Sequence, residues 1–76
     1  MSPQDLALIE HLSDTHPELP RLLEQHRDYE TLLEDLERRR WLSAEEQVER
    51  ARLKRLKLRG RDRMEALLAP HRSPAA

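Results

Sequence analysis

Between Leu19 and Arg40 the chain places Leu19, Leu22, His26, Tyr29, Leu33, Leu36 and Arg40 at successive spacings of 3, 4, 3, 4, 3 and 4. Leu23 and Leu32 widen the stripe. Such a repeat keeps its members on one side of a helix, as in a coiled-coil seam. It predicts a helix over about 17–41, whose first turn is loosened or restarted by Pro17 and Pro20, because proline lacks a backbone donor and is tolerated only near a helix start. Before it, "SPQD" sets Ser2 as a cap, Pro3 at the first helical position and Asp5 three residues after the cap. With Leu6, Ile9 and Leu12 on one face, this predicts a short helix over about 3–13.

After the seam, "RRRWLSAEE" brings three cations that suit a helix C-terminus, then Ser43 and Glu46, the spacing of a capping box. A third helix is expected over about 43–68, carrying Val48, Ala51, Leu53, Leu56, Leu58, Met64, Leu67 and Leu68 and ending before Pro70. Its stripe is broader, and Gly60 weakens its middle by about 1 kcal/mol relative to Ala. No Gly or Pro lies between Arg21 and Arg59, so one continuous helix is the alternative. The capping box favours a hairpin.

The expected architecture is therefore all-α: a short N-terminal helix, then an antiparallel helical hairpin with coiled-coil-like packing. It forms one domain over 1–69, with a flexible tail over 70–76. The expected core seam joins Leu19, Leu22, His26, Tyr29, Leu33 and Leu36 to Val48, Leu56, Leu58, Met64 and Leu67.

Composition strengthens this reading. Fifteen leucines stand beside one Ile, one Val, one Trp, one Tyr and no Phe, a helical rather than a strand-forming set. A chain of 76 residues buries little apolar surface against its conformational entropy, so self-association is expected. There is no Cys, hence no disulfide and no thiolate metal site. The absence of a basic leader and of any long apolar run reads as a soluble protein, cytoplasmic by default.

The net charge of −1 hides a divided chain. Residues 1–37 hold ten acids and two arginines, and residues 38–76 hold twelve bases and five acids. A turn near Leu42 would lay the acidic helix along the basic one, with Glu30 near Lys54 and Arg55 and Glu34 near Arg50. Exposed ion pairs contribute about 0–1 kcal/mol each, so this pattern sets register more than stability.

The run "RARLKRLKLRGRDR" at 50–63 carries eight bases and one Asp. Arg50, Lys54, Arg55, Lys57, Arg59 and Arg61 are the candidate nucleic-acid contacts, since helical rows of cations meet successive phosphates. The acidic half and the lack of an aromatic stacking platform weigh against that role. A membrane-surface role lacks aromatic anchors.

Segments in this order resemble the YdcH-like family of short, largely uncharacterised bacterial proteins, over about Leu8 to Leu68. The likeness rests on "LIEHL", "HPELPRLLEQH", "LLEDLE" and "KRLKLRGRD", the last resembling the family's Lys-Leu-x-Leu-Lys-Asp run. The chain departs from that pattern at Gly60, where Leu is usual, and at Arg61, where Lys is usual. The resemblance implies a helical hairpin that associates through coiled-coil contacts, with no catalytic residue and no cofactor.

The residues alone point the same way. His11, His16, His26 and His71 form no i,i+4 pair, so no metal site is expected. Glu34 and Asp35 are adjacent and point apart, unlike a catalytic dyad. No phosphate loop or nucleophile motif is present. His26 in the seam reads as a partly buried imidazole bonded to a backbone or carboxylate acceptor, or as a pH-sensitive contact. Trp41, with Arg38, Arg39 and Arg40 beside it, is the candidate contact for a protein partner, or else a cap over the end of the hairpin. The chain is thus expected to be a non-enzymatic, self-associating interaction or adaptor module, with nucleic-acid binding as the alternative.

Overall fold

The computed structural model describes residues 1–72. Helix α1 spans Pro3–Leu12, α2 spans Glu18–Arg38 and α3 spans Ala44–Leu68, followed by a 3-10 turn at Ala69–His71; no strand occurs among the described residues. Helix α1 begins as the sequence predicts: the Asp5 N–H donates to Ser2 Oγ at 3.1 Å, and Pro3 occupies a position whose N–H would have no partner. Ser13 closes the helix by donating its hydroxyl to the Glu10 carbonyl at 2.8 Å. Pro17 caps α2, and Pro20 sits inside its first turn without interrupting it, because the donors missing there are ones a helix start leaves free.

Helix α2 stops at Arg38, three residues earlier than the expected end at 41. Arg39 is extended (φ −70°, ψ 138°), and residues 39–43 carry the chain over the end of α2 before α3 turns back. Helix α3 opens on the expected capping box: the Glu46 N–H donates to Ser43 Oγ at 3.1 Å, and the Ser43 N–H donates to Glu46 Oε1 at 3.0 Å.

The two long helices pack along each other as a hairpin, joined by ion pairs whose order reverses between them. Arg63 meets Glu18 at 3.0 Å, Lys57 meets Glu30 at 4.0 Å and Arg50 meets Glu37 at 3.6 Å. Glu30 was expected near Lys54 and Arg55, and Glu34 near Arg50. The pairing in the tip half of the hairpin is displaced by about one turn, because the extended linker overshoots α2 and leaves the start of α3 overhanging it.

Two apolar clusters hold the fold. Ile9, Leu12, Leu19, Met64 and Leu68 join all three helices at the open end, with Leu8, Leu22, Leu23 and Leu67 around them. Leu33, Leu36 and Leu53, flanked by Tyr29 and Leu42, pack nearer the turn. Of the expected seam, Leu19, Leu33, Leu36 and Met64 are buried, while Leu22, His26, Tyr29, Leu56 and Leu67 are partly covered.

Val48 and Leu58 do not belong to that seam: they are 68% and 54% exposed. Leu53 takes the inward position, and each of the two lies five residues from it, about 140° around the helix and on its far side. Of the tail expected to be flexible over 70–76, residues 70–72 are placed in the 3-10 turn and its cap, and 73–76 lie outside the described residues.

Leu19 is fully buried among the three helices, so Leu19→Ala is expected to lower the unfolding free energy by about 2–5 kcal/mol. A methyl group at Gly60 would meet nothing within 4 Å, and Gly60→Ala is expected to raise stability by ~0.5–1 kcal/mol. Urea unfolding followed by circular dichroism checks both; an unchanged midpoint for the Leu19 variant would remove that cluster as the anchor of α1.

Candidate functional site

The tip of the hairpin gathers the four residues singled out in the sequence, and the fold gives them different roles. Arg39 is a brace: its guanidinium donates to Asp35 Oδ2 at 3.0 Å on α2 and also to Glu46 on α3. The hydrogen bond with Asp35 and the charge of Glu46 push the Arg39 guanidinium further toward its protonated form. Arg38 lies 3.9 Å from Glu34 with both side chains in solvent, a weak contact. Arg40 has no ion-pair partner among the described residues, and Trp41 is 76% exposed. Capping the end of the hairpin, one of the two roles open to Trp41, falls instead to Leu42, which packs on the Leu33, Leu36 and Leu53 cluster.

The basic run divides into two sets. Arg50, Arg52, Lys57 and Arg63 are engaged with Glu37, Glu49, Glu30 and Glu18. Lys54, Arg55, Arg59 and Arg61 form no ion pair among the described residues and all face solvent. Of the six candidate phosphate contacts, Arg50 and Lys57 are therefore tied to α2, and the other four are free. The acidic helix answers only part of the run.

His26 is the one expected seam residue with unusual chemistry. Its side chain is 13% exposed, and Nε2 lies 3.2 Å from Glu30 Oε1, one turn ahead on α2. Nδ1 is buried without a hydrogen-bond partner among the described residues. Burial holds the imidazole below its ordinary value of 6.5, Glu30 opposes that shift, and Lys57, the Met1 amine and Arg61 add to it. Glu30 is a carboxylate beside the ring, one turn away in sequence, whereas the cations around His26 come from parts of the chain that the sequence could not bring together.

Arg72 was not anticipated. It donates to Asp5 Oδ1 at 3.0 Å and to Glu65 Oε2 at 2.6 Å, tying the chain beyond Pro70 to both α1 and α3. No local signal marks it, because its partners lie 67 and 7 residues away. The His16 and His71 rings meet edge to face with centroids 5.5 Å apart. Among the described residues no group of three His, Cys, Asp or Glu is placed to hold a metal ion, and no helix is long and apolar enough to cross a membrane.

The His26 shift has a definite sign. A lowered folded value means that the unfolded chain binds the proton more tightly in that window. His26 therefore contributes stability that is complete above pH 6.5 and is lost as pH falls toward its folded value. His26→Leu is expected to flatten the fall in stability between pH 7.5 and pH 5.5, seen as denaturant midpoints across that range. Parallel curves for the two proteins would show that His26 does not drive the dependence.

Compared with known proteins, the chain matches no family model, no curated protein and no solved structure.

Proposed function

We propose that this protein is a non-enzymatic interaction module: a hairpin with coiled-coil-like packing that self-associates and presents its tip to a protein partner in the cytoplasm. The carrying observation is the amount of apolar side chain left in water. Leu32, Trp41, Val48 and Leu58 are each more than half exposed in a chain whose core holds eight buried residues. The radius of gyration is 15.0 Å, against about 11 Å for a compact domain of this length. The accessible surface is 5985 Å², against roughly 4900 Å² for a compact monomer of this mass. An elongated chain with that excess has surface to give to partners.

Trp41 and Arg40 carry the tip side of the reading, since exposed Trp and Arg are the residue types that anchor protein interfaces. The order of segments that resembles the YdcH-like pattern fits a module of this kind. Nucleic-acid binding stays as a second reading because Lys54, Arg55, Arg59 and Arg61 form no ion pair among the described residues, enough cations for several phosphate contacts.

Trp41→Ala is expected to change the unfolding free energy by less than about 0.5 kcal/mol, to leave the solution mass unaltered and to abolish capture of the proteins that the wild type retains from lysate. Retention of the same proteins would remove the tip from the reading. Binding to mixed-sequence DNA and RNA at two salt concentrations tests the second reading: a complex that weakens with salt and is lost in Lys54→Glu with Arg55→Glu would put nucleic acid first. Absence of binding by the folded protein would discard it.

A further inference from the structure

The two broad sides of the hairpin are not equivalent. One is crossed by Arg50–Glu37 and Lys57–Glu30 and is occupied at its open end by the N-terminal segment, where Met1 and, on α1, Asp5 line a cleft with His26, Lys57, Arg61 and Glu65. The other is crossed by Arg63–Glu18 and has Arg52 within electrostatic reach of Tyr29. On this second side α2 presents Tyr29 and Leu32, with Leu36 buried beneath them, and α3 presents Arg52, Leu56 and Arg59, at spacings that keep each set on one helical face. Helix α1 packs only on the cluster at the open end and leaves this stretch uncovered. Leu32 is 51% exposed there, with Tyr29 and Leu56 half-buried beside it.

We propose that a second copy of the chain docks on this side, forming a four-helix bundle about a two-fold axis parallel to the helices. The proposal rests on the self-association reading above and specifies its surface. The axis sets α2 of each copy over α3 of the other while keeping every residue at its own height along the bundle. That height is read from Glu30–Lys57 and Glu37–Arg50, which share one register through the middle and tip of the hairpin; two residues back on α2 and two residues on along α3, it brings Asp28 level with Arg59, while Glu18–Arg63 departs from that register at the open end.

Asp28 and Arg59 are exposed, have no ion-pair partner among the described residues and lie toward opposite outer edges of the hairpin. They do not pair within one chain. Across the two-fold axis each Asp28 faces Arg59 of the partner subunit, twice per dimer, and Leu32 comes to lie against Leu56 of the partner subunit. The opposite arrangement, α2 on α2, would set the acidic helices against each other. A 21-residue helix is about 31 Å long, so two side by side offer a strip on the order of 600 Å², close to the ~800 Å² per partner of a standard interface.

Sedimentation equilibrium of the full chain, run beside circular dichroism, tests the proposal. The expected result is a wild-type dimer, a dissociation constant raised about 100-fold by Leu32→Asp and about tenfold by Asp28→Arg or Arg59→Asp, and recovery to within about threefold in the Asp28→Arg with Arg59→Asp double variant. A wild type that stays monomeric at high concentration overturns both this docking and the self-association reading. An oligomer indifferent to all four variants overturns this surface and leaves self-association standing through another. If Leu32→Asp loses helicity, the charge-swap series decides, since both of its positions are in solvent: rescue supports the docking and lack of rescue overturns it.

Discussion

Reversal of the chain between Arg38 and Ala44 is the constraint on which the remaining structure depends. Nothing in the residues from Arg21 to Arg59 forbids a single long helix, since neither Gly nor Pro interrupts them. The reciprocal hydrogen bonds of Ser43 and Glu46 start a new helix, and Arg39 reaches from Asp35 to Glu46 across the break. These contacts are polar and local, and individually modest. Their consequence is long-range, because the extended linker decides how far α3 overhangs α2 and therefore which residues of the two helices meet.

Once the register is set, the divided charge of the chain takes on two uses. Four cations of the basic run meet carboxylates, three of them across the hairpin, and such exposed pairs align helices more than they stabilise them. The rest of the run faces outward, as do Glu24 and Asp28 on α2. A chain that neutralised itself completely would have little electrostatic preference for any partner. This one leaves mostly acids exposed on α2 and mostly bases exposed on α3, so its surface charge stays divided along the hairpin.

The apolar set is equally divided. The open-end cluster draws on all three helices and contains the most deeply buried residues, Leu19, Met64 and Leu68. The cluster near the turn has only three buried members, and the exposed Leu32, Val48 and Leu58 belong to the two long helices that form it. Arg72 reinforces the first cluster from outside by joining Asp5 to Glu65. The molecule is thus anchored at its open end, while its long sides and tip present unfilled surface.

The sequence alone determined whatever depends on neighbours within one or two turns. The Ser2 and Ser43 caps, the capping-box partner Glu46 and the inward positions of Leu19, Leu33 and Leu36 all follow from spacing, because helix geometry fixes which residues four or fewer apart face each other. Tertiary structure decided what depends on the overhang of α3 and on distant partners. Leu53 turned inward while Val48 and Leu58 turned outward, Lys57 rather than Lys54 met Glu30, Leu42 rather than Trp41 closed the turn, and Arg72 found Asp5. The broad stripe of α3 is compatible with several rotations about its axis. Periodicity cannot choose among them, and packing against α2 does.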